Sequence, residues 1–284
     1  MLRNGTTRNL ALKKPIAVIK VGGDVLLGEL ERRGLAENIG DLVRANWRIV
    51  ILHGGGPQVD KLQQLHGLKT RKVGGRRITS PEDLVVIKQG ICGEVNVNLV
   101  QLLQDSGINA FGCSGNSGKL IQAIQRAPRV TSGAGSDAID FGEVGDVIGI
   151  NTSLIQHLME ANLVPVIATL GVEVNSGRVF NINADTTVVE IAKLIGAQLL
   201  LLTTSIGAIF EDLSKPETRI KKINSTLAVK LINTGIIQGG MIPKVEEALK
   251  IPCKVAIVGP QQAGAFISIA EGGTDFGTTI DKER

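Results

Sequence analysis

The chain has 284 residues, of which 43% are hydrophobic and 20% charged, so it can build a large core and is too apolar for an intrinsically disordered protein. The 31 basic and 27 acidic residues give a formal charge of +4, and the aromatic content is 2% with no Tyr. Binding to single-stranded nucleic acid is disfavoured because stacking platforms are scarce. The three cysteines show no CxxC spacing, which disfavours a disulfide framework or a protein-bound zinc site.

The N-terminal residues 1–14 are basic, but they contain no apolar stretch of signal-peptide length. Nor does a run of about 18 uncharged apolar residues occur elsewhere in the chain. The sequence therefore predicts a cytoplasmic protein without a membrane segment.

Short apolar runs alternate with segments of helical period along most of the chain. The runs at 16–19 and 49–52 each lead into glycines and flank a helical segment at 25–47, which predicts a parallel β-α-β unit. Further buried strands are predicted at 108–111, 163–168, 199–203 and 255–258. Further helices are predicted at 81–104, 151–161, 184–195, 223–234 and 244–250. This alternation predicts an α/β fold whose central, mainly parallel sheet carries helices on both faces.

Two segments interrupt the alternation. Between about 112 and 150, short alternating pieces surround the small polar residues 132–136, which predicts hairpins and a flexible turn at one edge of a mixed sheet. The polar segment 173–178 predicts a lobe boundary near residue 177. The predicted lobes are therefore residues 1–177 and residues 178–284.

Three glycine-rich loops are candidates for a phosphate site. They are Lys20-Val21-Gly22-Gly23, His53-Gly54-Gly55-Gly56-Pro57 and Gly239-Gly240-Met241-Ile242-Pro243-Lys244. Where a strand leads into a helix, glycines let backbone N–H groups approach an anion, and the helix N-terminus adds positive potential. One such loop is weak evidence because glycine is common in turns. Three loops together, two of them with Lys, predict phosphate binding.

The common single-motif phosphate sites are absent from the sequence. It contains no G-x-x-x-x-G-K-[ST] motif, no H-R-D and D-F-G pair and no G-x-G-x-x-G fingerprint. A phosphate site in this chain must therefore be assembled from separated loops.

Together with Asn181-Ile182-Asn183-Ala184-Asp185, these loops resemble the amino acid kinase superfamily and, within it, the acetylglutamate kinases. The resemblance extends from about Ile16 to Ile280. It implies a three-layer α/β/α sandwich, with the acyl amino acid and the dimer contact in the N-terminal lobe and ATP in the C-terminal lobe. It also implies phosphorylation of the side-chain carboxylate of N-acetyl-L-glutamate by ATP and Mg²⁺, the second step of arginine biosynthesis.

The resemblance assigns roles to individual residues. Lys20 and Lys244 would lie on opposite sides of the transferring phosphoryl group, and Asp185 would hold both ammonium groups and help to locate Mg²⁺. Arg77 would bind the substrate α-carboxylate, for which a planar guanidinium is suited, and Asn181 would contact the same end of the substrate. The phosphate-binding glycines would be Gly22, Gly23, Gly54, Gly55, Gly56 and Gly240. The nucleotide-binding residues would be Thr203, Thr204 and Gly207.

Each of these residues also has an ordinary structural explanation when it is taken singly. Lys20 is typical of a solvated strand end, Arg77 of a surface loop, and Asp185 of a helix N-cap. The acceptor carboxylate needs no catalytic base, because a Glu-like side chain with a pKa of about 4.3 is already ionised at neutral pH. His53 is accordingly predicted to be a structural hydrogen-bonding residue.

Three positions depart from the usual pattern of the acetylglutamate kinases. Thr204 and Ser117 replace acidic residues, and Arg76 replaces an apolar residue. The added charge at Arg76 leaves open a kinase for another N-acyl amino acid, such as acetylaminoadipate or succinylglutamate. The lost acidic residues leave open a catalytically silent regulatory homologue.

Overall fold

The computed structural model describes residues 14–130 and 137–281. The predicted turn at residues 132–136 and nearly all of the basic N-terminal segment lie outside these ranges. Within the described residues, no helix combines the length and the apolar character that crossing a bilayer requires.

The strands alternate with helices along the chain. In chain order they are β1 (Ile16–Val21), β2 (Arg48–His53), β3 (Arg71–Val73), β4 (Arg76–Ile78), β5 (Ala110–Ser114), β6 (Ile121–Gln125), β7 (Gly145–Ile150), β8 (Val164–Ala168), β9 (Leu170–Val172), β10 (Val179–Asn181), β11 (Leu199–Thr203), β12 (Lys222–Ile223), β13 (Lys254–Val258) and β14 (Thr278–Ile280).

The α-helices are α1 (Glu29–Arg44), α2 (Gly56–Leu65), α3 (Pro81–Lys88), α4 (Asn96–Asp105), α5 (Thr152–Glu160), α6 (Ala184–Leu194), α7 (Ser225–Asn233), α8 (Met241–Ala248) and α9 (Ala265–Glu271). A π-helical turn, Gln89–Val95, joins α3 to α4. The helix predicted over 81–104 is therefore one continuous helical segment, in which residues 89–95 are π-helical and the residues on either side are α-helical.

The central sheet of the described residues has eight strands in the order β12-β14-β13-β11-β1-β2-β8-β5. Neighbouring strands are parallel except β13 and β14. The prediction of a mainly parallel sheet is confirmed. Because β1 lies between β2 and β11, its C-terminal end meets loops from both halves of the chain.

Each face of the central sheet has its own core, because alternate side chains of a strand point to opposite faces. Ala17 and Ile19 of β1 pack with residues of α1, α4 and α9, whereas Val18 packs with residues of α5, α6, α7 and α8. The inner strands are apolar throughout because both of their faces are buried. The result is the predicted three-layer α/β/α sandwich.

A smaller sheet, in the order β10-β9-β6-β7, and the β3–β4 hairpin lie beside the central sheet. Bridges join Thr79 to Gly142 and Val144 to Asn181. Residue 177, the predicted lobe boundary, lies in the turn between the antiparallel strands β9 and β10. The hairpins predicted between 112 and 150 are represented by the antiparallel pair β6–β7.

Candidate active site

Two lysines meet one carboxylate at the edge of the central sheet. Lys20 is the fifth residue of β1, and its Nζ lies 3.2 Å from Oδ1 of Asp185. The Nζ of Lys244 lies 3.9 Å from the other carboxylate oxygen, Oδ2. The structure thus brings together the three predicted catalytic residues, from β1, α6 and α8, with Asp185 between the ammonium groups.

The N-terminus of α6 fixes the position of Asp185. Asn183 caps the helix, and its Oδ1 accepts a hydrogen bond of 2.9 Å from the Thr186 amide. Asp185 is therefore in the first turn without being the cap itself, which corrects the alternative that it is a capping residue. A carboxylate is favoured there by the helix dipole.

Burial lowers the pKa of the second lysine. The side chain of Lys244 is 17% exposed, and loss of solvation lowers its pKa below the ordinary value, an effect that the Lys20 charge reinforces and the carboxylates of Asp185 and Asp24 oppose. A partly desolvated ammonium group gains more from a bound phosphate than a hydrated one does.

The glycine loops expose backbone beside these lysines. A Cβ built on Gly54 or Gly56 meets nothing within 4 Å. Both residues line a cavity together with Lys20 and Asp185, which we call the main cavity. At Gly23, a Cβ would lie 2.7 Å from Cδ of Pro57 and 3.0 Å from the Gly56 amide nitrogen. The absence of a side chain at Gly23 therefore allows the β1 loop and the α2 loop to approach each other.

The π-helical turn supports the second glycine loop. A Cβ on Gly55 would come within 3.0 Å of Val95 and 3.4 Å of Ile91, both in that turn. Ile87 and Ile91 also line the main cavity. π-Helical turns are often found at functional sites, and nothing in the periodicity of residues 81–104 distinguished this one from an α-helix.

Arg77, the predicted substrate arginine, is fixed in β4 by its neighbours. Its Nη1 donates to Oε1 of Gln63, and its Nη2 donates to Oδ1 of Asp60, which also pairs with Lys72 at 2.8 Å. Its Nε makes no hydrogen bond to any described residue, although the side chain is only 10% exposed. The guanidinium is thus positioned before a ligand binds and keeps a donor for it.

Asn181 ends β10, beside the residue that follows β4. Its Nδ2 donates to Oγ1 of the buried Thr79 at 3.2 Å, and its amide donates to the Glu143 carbonyl at 3.0 Å. Arg77 and Asn181 both line the main cavity with Lys20 and Asp185. The two predicted substrate residues therefore share a space with two of the three predicted catalytic residues.

The main cavity has a volume of about 360 Å³. Its charged lining side chains are Lys20, Lys72, Arg76, Arg77, Arg126, Asp24 and Asp185. The excess of cations makes it suited to a ligand with several negative charges.

The nucleotide candidates lie at the same sheet edge but outside this cavity. Oγ1 of Thr203 donates to the Lys20 carbonyl at 3.0 Å, and Oγ1 of Thr204 accepts from the Gly207 amide at 3.0 Å. Gly207 has a φ of +84°, a conformation that favours glycine. Gly240 caps α8 and its carbonyl accepts from Nζ of Lys244 at 3.2 Å.

Asp24 is a cavity residue that sequence reasoning missed. Its Oδ2 accepts hydrogen bonds from the amide and the hydroxyl of Ser205 at 2.8 and 2.9 Å. Burial opposes its ionisation, but these bonds and the charge of Lys20 together lower its pKa. Asp24 therefore joins the loop after β1 to the loop after β11 as an anion. An acidic residue directly after Lys20-Val21-Gly22-Gly23 was the available signal.

The carboxylates present fit a Mg²⁺ ion that arrives on a nucleotide. Among the residues that the structure describes, no group of three or more His, Cys, Asp or Glu could hold a metal. Oδ1 of Asp185 is buried and has no hydrogen bond, although Lys20 lies near it. Mg²⁺ is usually bound by one or two carboxylates plus substrate phosphates, and the carboxylates of the main cavity that would hold it are those of Asp185 and Asp24.

His53 ends β2 and orients the Gly54 carbonyl. Its Nδ1 lies 2.8 Å from that oxygen, and its Nε2 lies 2.8 Å from Nδ2 of Asn96, which also donates to the Val166 carbonyl. Only a neutral ring protonated on Nδ1 satisfies both contacts. The prediction of a structural hydrogen-bonding role is confirmed by these contacts.

We expect the fold to lose stability in mild acid because of His53. Complete burial lowers its pKa from 6.5 to about 4. Between these pH values the ring therefore binds a proton in the unfolded chain but not in the folded chain. The stability contributed by the neutral ring is present above pH 6.5 and is lost as the pH falls towards 4. At about 1.4 kcal/mol per pKa unit, the loss reaches roughly 3 kcal/mol.

Urea unfolding between pH 7.5 and 4.5 measures this loss. In His53→Gln the decline over that window should be smaller, because the titrating ring is gone. His157→Gln, which removes an exposed histidine of α5, serves as the matched control. An equal decline in the wild type and His53→Gln would contradict the assignment.

Comparison with known proteins agrees with this architecture. The model of the amino acid kinase family matches residues 15–255. The chain is 38% identical over 269 residues to "Acetylglutamate kinase" of Anaeromyxobacter dehalogenans, covering 93% of this chain and 98% of that protein. It is 38% identical over 244 residues to the protein of the same name from Methanopyrus kandleri, covering 85% and 93%.

A solved structure shares this fold. The crystal structure of smu.665 from Streptococcus mutans has a TM-score of 0.73 at 27% identity and covers 93% of this chain and 98% of that one. With the family model spanning most of the chain and named relatives matched over nearly their full length, the chain belongs to the acetylglutamate kinases of the amino acid kinase family.

Proposed function

We propose that this protein is an ATP-dependent kinase that phosphorylates the side-chain carboxylate of N-acetyl-L-glutamate, the second step of arginine biosynthesis, with a close N-acyl analogue as the alternative substrate. The observation that carries the proposal is that Lys20 and Lys244 meet on Asp185, beside a cavity that Lys20, Asp185 and Arg77 line together. Such an arrangement can neutralise phosphate at one end and bind a carboxylate at the other.

The proposed reaction is a direct phosphoryl transfer. An oxygen of the substrate carboxylate forms a bond to the γ-phosphorus as the bond from that phosphorus to the bridging oxygen of ATP breaks, and ADP leaves. No proton has to move, because the carboxylate is already ionised. The enzyme must bring two anions together and stabilise the charge on the phosphoryl oxygens.

The residues divide this task between them. Lys20 and Lys244 neutralise the phosphoryl group from two sides, and Asp185 keeps their ammonium groups apart and aligned. The backbone amides of Gly23, Gly55 and Gly56 donate hydrogen bonds to phosphoryl oxygens. Mg²⁺, when bound with ATP, supplies further charge neutralisation beside Asp185 and Asp24.

Two parts of the proposal concern the two lobes and their assembly. The acyl amino acid binds to residues 1–177, where Arg77 lies, and ATP binds to residues 178–284, beside Thr203, Thr204, Gly207 and Gly240.

The protein forms a homodimer through the N-terminal lobe in the cytoplasm. Light scattering coupled to size-exclusion chromatography tests the dimer, and a monomer mass would reject it.

A hydroxamate assay tests the proposed activity. The purified chain is incubated with Mg-ATP and hydroxylamine, which traps an acyl phosphate, and with N-acetyl-L-glutamate, N-succinyl-L-glutamate or N-acetyl-L-aminoadipate. We expect hydroxamate from the acylated glutamates, and no product when ATP is omitted or when EDTA removes the metal. Absence of product from all three acids, in a protein that binds ATP, would favour the catalytically silent homologue.

A further inference from the structure

A second, smaller cavity adjoins the main one, and three arginines line it. Its volume is about 200 Å³, and it shares Arg76, Arg126 and Asn183 with the main cavity. Arg129 completes the group of arginines. None of the three has a part in the phosphoryl transfer described above. We call Arg76, Arg126 and Arg129 the arginine cluster.

Arg126 is a buried residue in the lining of the smaller cavity. Its side chain is 6% exposed. Its Nε and Nη2 both donate to Oδ1 of Asp146, at 2.9 and 2.7 Å, and its guanidinium lies 5.5 Å from the centre of the Phe141 ring. The buried guanidinium is thus held in one orientation between the two cavities.

Positive charge in the cluster exceeds the negative charge beside it. Asp146 serves both Arg126 and Arg129, the latter at 3.7 Å. Glu247, on the far wall, is paired with Lys250 at 2.7 Å. Arg76 is half-buried and has no carboxylate within ion-pair distance among residues 14–130 and 137–281. One carboxylate therefore compensates three guanidinium groups.

Arg129 is affected both by burial and by the neighbouring arginines. Burial, the charge of Arg126 and the charge of Arg76 lower its pKa, and Asp146 only partly opposes them. A cluster that is short of negative charge is completed by an anionic ligand, because a carboxylate can accept charge-assisted hydrogen bonds from two guanidinium groups.

The position of Arg76 beside Arg77 suggests which part of the substrate supplies this anion. Successive side chains of a strand leave opposite faces, but Arg76 and Arg77 of β4 both line the main cavity. In an N-acyl-L-glutamate, the acyl nitrogen and the α-carboxylate are attached to the same carbon. If Arg77 holds the α-carboxylate, the acyl group begins in the same cavity, whose lining also includes Arg76 and Arg126.

We propose that the arginine cluster binds a carboxylate at the end of the acyl group, so that the preferred substrates are glutamates acylated by a dicarboxylic acid. This inference rests on the proposed function, which places an N-acyl-L-glutamate in the main cavity. An acetyl group ends in a methyl, which leaves the cluster without its anion. A site built for a polar group discriminates against a substrate that lacks that group.

The test compares kcat/KM for N-succinyl-L-glutamate and N-acetyl-L-glutamate with the full chain and saturating Mg-ATP. We expect the succinylated acid to be preferred on the order of tenfold or more. In Arg76→Leu and Arg129→Gln, the ratio of the two kcat/KM values should fall at least several-fold, whereas the KM for ATP should stay the same. Arg71→Ala, which removes an exposed arginine of β3, should leave the ratio unchanged.

The possible results separate this inference from the proposed function. Turnover of the acetylated acid with a succinyl-to-acetyl ratio below one, or a ratio that neither variant alters, would overturn the arginine cluster as an acyl subsite and leave the kinase activity intact. A raised KM for ATP in Arg76→Leu would overturn it in favour of a nucleotide role. Failure to phosphorylate either acid would reject the proposed function, and the inference with it.

Discussion

Replacement of Lys244 by Ala should lower kcat on the order of 10²–10³-fold, the usual cost of removing one preorganised group that stabilises transition-state charge. The effect on stability should be small, because the polar contacts of Lys244 Nζ with the described residues are one hydrogen bond to the Gly240 carbonyl at 3.2 Å and a longer pairing with Asp185 at 3.9 Å. Asp185 keeps Lys20 as its nearer partner. Steady-state kinetics and urea unfolding of the variant separate the two effects.

A matched control is available on the same helix as Asp185. Lys193→Ala removes an exposed lysine in the last turn of α6 and should leave kcat within about twofold of the wild type, as expected for a surface change. Lys244→Arg keeps the charge but changes the shape of the donor, and it should recover part of the lost activity. A kcat for Lys244→Ala within threefold of the wild type would remove this lysine from the mechanism.

The fold was largely predictable because its strands are buried on both faces. Continuous apolar runs such as residues 199–203 predicted β11 with its observed bounds, since both sides of that strand need apolar side chains. The strand predicted at 108–111 begins two residues later, because residues 108 and 109 lead out of the preceding turn. The start of α8 was predicted at residue 244, whereas the helix begins three residues earlier, at Met241.

The candidate site was predictable only where its residues lie in the glycine-rich loops or in the segment Asn181-Ile182-Asn183-Ala184-Asp185. Lys20, Asp185 and Lys244 occur in short recognisable segments, and their loops meet because parallel strands end at the same edge of the sheet. Asp24 bonds to Ser205, 181 residues away, and no local pattern indicates such a pair. Arg126 looks like an ordinary surface residue in the sequence, and only the pairing of β6 with β7 places it beside Asp146.

Replacement of Arg77 by Ala should raise the KM for the acyl amino acid on the order of 10²-fold, because a largely buried guanidinium that binds a carboxylate contributes about 2–4 kcal/mol. The KM for ATP should change little, since Arg77 lines the main cavity, whereas Lys244 and the nucleotide candidates Thr203, Thr204 and Gly207 do not. Titration of each substrate against saturating partner measures the two constants separately.

The neighbours of Arg77 make this variant informative about binding and not only about folding. Asp60 keeps its pair with Lys72, and Gln63 keeps its hydrogen bonds to Asp83 and Thr70, so the hairpin retains most of its local contacts. Arg77→Lys keeps a charge but loses the planar, two-pronged geometry, and we expect it to recover the KM only in part. Arg71→Ala, in the partner strand, should match the wild type. An equal rise in both KM values for Arg77→Ala would show that Arg77 supports the site as a whole and does not grip the α-carboxylate.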